Sequence, residues 1–201
     1  MTLNGITIME KPDWISFDDI HELLYLAHAE NREKRGFHVQ TTEMTGEELE
    51  AHLGSTGKCY VAMDGKKLVG TASYRIVERN YWCVKGLVAD RILVAVHPDY
   101  QGKHIVSLLG NAVEKSVLEK GLHYIESITA ETNKPMRIAC QKDGFRNIDF
   151  RVPTSDHYNV VMLKWLDGCP YPRWRTYAHF AFNRLRKKLK FKPGRIKRFG
   201  K

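Results

Sequence analysis

The sequence has no long apolar run. The longest, Ile92 to Val96, is five residues, far short of the roughly 20 that a helix needs to cross a bilayer. An acidic Glu10 and no apolar h-region mark the first residues, MTLNGITIMEKPDW, which read as carrying no secretory signal. Cysteine is sparse. Cys59, Cys83, Cys140 and Cys169 are far apart, without a CxxC pair or a histidine at ligand spacing. That pattern argues against a structural zinc site or a disulfide framework and favours a reducing, cytoplasmic setting. No metal is expected.

Acidic residues are missing from one end of the chain. From Arg173 to Lys201 there are twelve Lys and Arg and no Asp or Glu. The whole chain carries +9, so residues 1–172 carry −3 and the tail holds all the basic excess. Two regions with different work are expected: a body over 1–167 and a basic extension over 168–201.

The body reads as alternating strands and helices. Ser16 with Asp19, and Thr45 with Glu48, look like capping boxes that open two helices. After Ser16, Ile20, Leu23, Leu24 and Ala27 recur at helical spacing. Cys59–Met63 and Leu68–Val77 flank Asp64-Gly65, a strong hairpin signal. A loop with Tyr81 and Trp82 leads to an apolar strand, Arg91 to Val96. Ile105, Leu108, Leu109, Ala112, Val113 and Val117 then mark one face of a helix. Tyr124–Ala130 reads as a strand and Pro135–Asp143 as a short helix stopped by Gly144. Phe145–Val152 and His157–Trp165 suit a final antiparallel pair. The order implies an α/β protein whose mixed sheet is covered by helices.

The chemistry concentrates between Val94 and Leu122, VAVHPDYQGKHIVSLLGNAVEKSVLEKGL. A buried strand enters a proline turn, then Gln101-Gly102-Lys103, then a helix. Free backbone N–H groups at a helix N-terminus make an anion site by dipole and hydrogen bonding together, and Lys103 adds a cation. A pyrophosphate fits there without a metal.

VHPDYQGKHIVSLL resembles the acetyl-CoA signature of the GNAT superfamily of N-acetyltransferases. Downstream, Asn133-Lys134-Pro135-Met136 and Lys142-Asp143-Gly144-Phe145 resemble the family's second signature, and the likeness covers roughly residues 5 to 165. It implies a GNAT-like fold and an acyltransferase that moves an acetyl group from acetyl-CoA to a primary amine in a ternary complex. The main chain of Val94, Ala95 and Val96 would pair with the pantetheine arm. The N–H groups of Gln101, Gly102, Lys103, His104, Ile105 and Val106 would hold the pyrophosphate, and Asn133 would bond near the pantetheine. His104 and Val106 stand where the family has glycine or alanine. A helical first turn would tolerate both.

Cys140 stands where the family has its general-acid tyrosine. A thiol pKa of ~8.5 suits protonation of a leaving thiolate, although a cysteine beside Ile138 and Ala139 also reads as a small buried hydrophobe. The apolar strand lacks the glutamate of many relatives. Glu126, Glu131, His157 and Tyr158 are the alternative bases, with Cys140, Glu131 and Tyr158 the working catalytic set. A rival reading is a CoA-binding module without catalysis.

In the extension, Pro172 could open a helix running to about Phe191, with Trp174, Tyr177, Ala178, Ala181, Leu185 and Leu189 on one face. A basic amphipathic helix over Pro170 to Lys201 suits an anionic membrane, docking of its apolar stripe on the body or on a partner subunit, or nucleic acid.

Overall fold

The computed structural model describes residues 2–3, 5–30, 33, 39–81, 83–151, 159–169 and 173–190. Its strands are β1 (Thr2–Leu3), β2 (Ile6–Glu10), β3 (Lys58–Asp64), β4 (Lys67–Asn80), β5 (Lys85–Val96), β6 (Tyr124–Ala130), β7 (Arg146–Arg151) and β8 (Asn159–Trp165). The helices are α1 (Phe17–Ala27), α2 (Gly46–Leu53), α3 (Ile105–Glu119), α4 (Lys134–Lys142) and α5 (Trp174–Lys190).

The described strands form one sheet in the order β1-β2-β3-β4-β5-β6-β8-β7. Every neighbouring pair is antiparallel except β5 and β6. A parallel pair cannot be closed by a hairpin, so α3 serves as the crossover between β5 and β6. That exception fixes where the two halves of the sheet meet.

Both expected capping boxes are present. The Ser16 hydroxyl accepts from the Asp19 N–H at 3.1 Å, and the Ser16 N–H donates to the Asp19 carboxylate at 2.7 Å. Thr45 and Glu48 repeat this at 3.2 and 2.8 Å. These bonds satisfy donors that a helix start leaves free. Ile20, Leu23 and Leu24 of α1 and Leu49 and Leu53 of α2 then bury against Val61, Met63, Leu93 and Ala95 on one sheet face. The other face packs against α3 through Ile105, Leu108, Leu109, Val113 and Val117.

Two details of the α3 seat were not legible in the periodicity. Ser116 is buried and shares a 2.8 Å hydrogen bond with the Tyr74 hydroxyl. At Gly70 on β4, an added Cβ would lie 2.9 Å from the Ile105 Cγ2 and 3.2 Å from both the Ala62 Cβ and the Leu109 Cδ1. The missing side chain lets α3 sit close to the sheet.

Two boundaries differ from the sequence reading. β4 and β5 run on to a tight turn, in which the Tyr81 and Val84 N–H groups and carbonyls bond reciprocally at 2.7 and 3.2 Å. β5 therefore starts at Lys85, not Arg91, because Asp90 is an interior strand residue held by cations. Trp82, His157 and Tyr158 lie outside the described residues.

The extension differs in which face it buries. α5 packs on β7 through Phe180, whose ring centroid is 5.5 Å from that of Phe150, and through Asn183, which donates to the Ile148 carbonyl at 3.2 Å. Thr176 and Asn183 are buried, whereas Trp174, Tyr177 and Leu185 are exposed. Docking of the predicted apolar stripe on the body is thus corrected: a polar and aromatic face, Thr176, His179, Phe180 and Asn183, is the one against the body.

Candidate active site

The parallel ladder between β5 and β6 is short. It comprises Ala89 opposite Ile125, Asp90 opposite Glu126 and Arg91 opposite Ser127. Beyond Arg91 both strands continue without pairing to each other, β5 to Val96 and β6 to Ala130. A bulge accompanies the separation. Ser73 faces Ile92 and Thr71 faces Ala95, so β5 carries one residue more than β4 in that interval. Within it Leu93 has φ 52°, a left-handed conformation in a non-glycine residue. A bulge bends its strand and increases local twist; here it follows directly on the last parallel rung. The β6-facing edge of Ile92–Val96 is left without a strand partner among the described residues.

The turn into α3 lies at the end of that edge. His97 caps a single 3-10 turn, Pro98–Tyr100, accepting from the Asp99 N–H at 3.3 Å. Tyr100 pins the turn to the β3–β4 hairpin through a 2.7 Å bond from its hydroxyl to Asp64. Lys103 and Lys67 lie 4.5 and 5.3 Å from its ring centroid. Gln101 Nε2 donates to the Val96 carbonyl at 3.3 Å, closing the end of β5.

His104 precedes α3 as its N-cap with φ 60° and ψ 15°, and makes no side-chain cap bond. This corrects the expectation of a helical first turn. His104 adopts the backbone conformation that glycine favours, at a cost of roughly 1 kcal/mol. Val106 is inside the helix, where a Cβ is no burden. The N–H groups of Gly102 through Ser107 donate to no backbone acceptor among the described residues. No acidic residue stands in the first turn of α3 to neutralise its positive end.

Asn133 caps α4 just past the end of β6. It is buried, and its Oδ1 accepts from the Met136 N–H at 3.3 Å. Val94–Val96, Gln101–Val106 and Asn133 therefore gather at the carboxyl ends of β5 and β6. In open sheets that is where ligands enter. Glu131 sits between β6 and Asn133, its carbonyl accepting from Arg137 at 2.9 Å. Cys140 is elsewhere: it is fully buried in the α3-side core and its Sγ accepts from Arg91 Nη2 at 3.0 Å. Arg91 also stacks 4.4 Å from the Phe145 centroid, approaches Asp143 at 4.0 Å, and leaves its Nε without a partner among the described residues.

The sequence reading missed a charged network on the opposite face. Asp90 and Glu126 are partners on one rung, 3% and 0% exposed. Arg75 donates to Asp90 at 3.2 Å, and Arg79 reaches Glu126 at 2.7 and 2.8 Å and Asp90 at 3.7 Å. The Tyr81 hydroxyl also donates to Glu126. Arg75 in turn meets the His52 carbonyl of α2 at 3.2 Å. Two buried carboxylates on one rung demand such cations. Burial pushes the Asp90 carboxyl up, the Glu126 charge adds to that, and Arg75 and Arg79 only oppose it. Successive strand residues face opposite ways, so Asp90 looks toward α2 while Arg91 looks toward α3 and α4. The opening is thus approached from two sides. One offers backbone N–H groups and lysine; on the other, the Asp90 and Glu126 carboxylates are buried on the rung next to the opening.

Comparison with known proteins agrees with this geometry. Residues 17–145 match the Acetyltransferase (GNAT) family, and the chain belongs to that family. Among solved structures, it resembles the ribosomal-protein-S18-alanine N-acetyltransferase of Escherichia coli, at 16% identity and TM-score 0.63, covering 82% of this chain and 96% of that one. A GNAT acetyltransferase of Elizabethkingia anophelis with acetyl-CoA bound aligns at 17% identity and TM-score 0.57, over 82% and 100%. An aminoglycoside 6′-N-acetyltransferase complexed with coenzyme A aligns at 17% and 0.59, over 82% and 99%. At such identities the likeness is one of fold. No curated protein sequence matches significantly. Among the described residues, no helix is long and apolar enough to cross a membrane, and no group of three or more His, Cys, Asp or Glu could hold a metal ion.

Proposed function

We propose that the protein transfers an acetyl group from acetyl-CoA to a primary amine, directly within a ternary complex. The observation that carries this is the edge of β5 after Arg91, unpaired among the described residues, leading into a turn whose Gly102–Ser107 N–H groups meet no backbone acceptor among the described residues. The pantetheine arm adds to that edge like a strand, through the main chain of Val94, Ala95 and Val96. The pyrophosphate lies on the N–H groups of Gly102 to Val106, with Lys103 beside it; the Gln101 N–H expected to join them is taken by the Pro98 carbonyl at 3.2 Å. Asn133 lines the other side of the opening, where its Oδ1 already serves α4.

The amine enters from the α2 side. Its nitrogen attacks the thioester carbonyl, a carbon–nitrogen bond forms, and the carbon–sulfur bond breaks. A strand N–H polarises the carbonyl oxygen as negative charge develops there. We assign removal of the amine's proton, through water, to the Asp90–Glu126 pair. A carboxyl raised by burial and by a second carboxylate is a better match to a proton transfer near neutral pH than an ordinary one. Cys140 is the candidate for proton delivery to the departing thiolate, and Glu131 and Tyr158 are the further candidates for taking the amine's proton. Each is tested by substitution. The acceptor is left to experiment, because the similar folds named above serve a ribosomal-protein alanine in one case and an aminoglycoside in another.

A second reading has its own support. Cys140 replaces the expected tyrosine and is engaged by Arg91, which suits a module that holds CoA without turning it over. Thiol release from acetyl-CoA, followed over a panel of amino sugars, small amines and peptides, separates the two. Release with any acceptor supports transfer. Calorimetric binding of acetyl-CoA with no release across the panel leaves the holding module, and no binding removes both.

A further inference from the structure

The two faces of α5 are inverted relative to an ordinary surface helix. Its body-facing side carries Thr176, His179, Phe180 and Asn183, with Asn183 held to the Ile148 carbonyl and Phe180 against Phe150. Its outward side carries the large apolar groups. Trp174 is 62% exposed, Tyr177 56%, Phe182 63% and Leu185 56%. At 100° per residue, Trp174, Ala178, Ala181 and Leu185 centre about 180° from Thr176 and Asn183. Arg175 and Arg186 fall along one flank of this ridge and Arg184 along the other. No Asp or Glu occurs between Arg173 and Lys201 to offset them.

We propose that this outward face of α5 is a docking surface for an anionic phospholipid membrane, on which the protein lies peripherally. An apolar ridge with arginine on both flanks is the layout of a helix lying in the interfacial plane. The ridge enters the acyl boundary while arginine side chains reach up to the headgroups. The net charge supplies the attraction to a leaflet of opposite sign: the last 29 residues hold twelve cations and no Asp or Glu, against −3 for the rest of the chain. Nucleic acid fits less well. Phosphate neutralisation uses the arginines, and stacking uses aromatic rings, but neither uses the aliphatic Leu185, Ala178 and Ala181 of the ridge. The inward face is already committed to β7, so insertion requires no unfolding of the helix. This inference stands independently of the catalytic reading.

Co-sedimentation of the full chain with vesicles tests it. Vesicles of phosphatidylcholine with phosphatidylglycerol are compared with phosphatidylcholine alone, using wild type, a Tyr177→Ser, Phe182→Ser, Leu185→Ser triple variant and an Arg184→Gln, Arg186→Gln double variant. All substituted side chains are exposed, and an unchanged melting temperature confirms that each variant folds. Wild type is expected to pellet with the anionic vesicles only. The triple variant should lose roughly a hundredfold in partitioning, and the double variant should bind less than wild type at low salt, with the difference narrowing as added salt screens the charges. Absence of wild-type binding to anionic vesicles overturns the proposal, as does a triple variant that binds like wild type. RNA binding or self-association that depends on the ridge, without vesicle binding, reassigns the surface and also overturns it.

Discussion

Replacing His104 by glycine should stabilise the protein. His104 holds φ 60° and ψ 15°, a region that costs an L-residue with a Cβ about 1–2 kcal/mol. Its side chain makes no cap bond and is exposed, so little native interaction is lost on its removal. Glycine enters this conformation freely but adds backbone entropy to the unfolded chain, giving back about 0.5–1 kcal/mol. The net gain is about 0.5–1 kcal/mol, which for a chain of this length is roughly 2 °C in melting temperature. Differential scanning calorimetry without ligand reads it directly. Lys103→Gly is the control: Lys103 is not a positive-φ residue, so the same change there carries only the entropic loss and should lower the melting temperature. A His104→Gly variant that melts lower than wild type, or in step with Lys103→Gly, would refute the assignment of a strained, glycine-like turn.

Gly70→Ala should cost about 1–3 kcal/mol, because its Cβ meets the stiff, branched Ile105 at 2.9 Å; the variant should melt several degrees lower and bind acetyl-CoA more weakly as α3 is pushed outward. Asp90→Asn should abolish most thiol release while folding normally. The Asp90 carboxyl is raised by burial and by Glu126, so its stabilising contribution is complete below the ordinary value of 3.8 and is lost as pH rises through the raised value. Wild type should therefore lose stability relative to Asp90→Asn across that window in urea melts, and a constant difference would contradict the shift. Burial lowers His52 and His179 from 6.5; their contribution is full above 6.5 and declines as pH falls through the lowered values, so a His52→Gln, His179→Gln variant should show a flatter acid limb. Cys140→Ala should leave turnover intact if the thiol is only a packing group and the Arg91 partner; a loss of tenfold or more with unchanged acetyl-CoA affinity would place it in the chemistry.

Much of the scaffold was legible because its signals are local. Ser16 and Thr45 bond within three residues, the Asp64-Gly65 hairpin is a matter of turn chemistry, and the α3 face follows one period. The turn before α3 was found the same way. What was hidden depends on partners distant in sequence. Asp90 looks like a strand terminator until Arg75 and Arg79 of β4 and Glu126 of β6 are brought around it. That buried rung therefore went unread, although Glu126 had been singled out by itself. Leu93 carries no mark of a bulge in its side chain. The separation of β5 from β6 follows from ladder geometry rather than from composition. In α5 the helical period identified an apolar stripe correctly, yet the buried face was set by Asn183 and Phe180 meeting β7, contacts that no amphipathicity argument weighs.

The account rests on acetyl-CoA occupying the opening between β5 and β6 with its pyrophosphate on the turn before α3. Amide hydrogen exchange with and without acetyl-CoA tests this most directly, because the Gly102–Ser107 donors have no backbone acceptor among the described residues. The account predicts that the Gly102–Ser107 amides, together with Ile92–Val96, slow on adding the cofactor, while β2 and α1 are unaffected. Binding of acetyl-CoA that leaves exchange in both segments unchanged would contradict it.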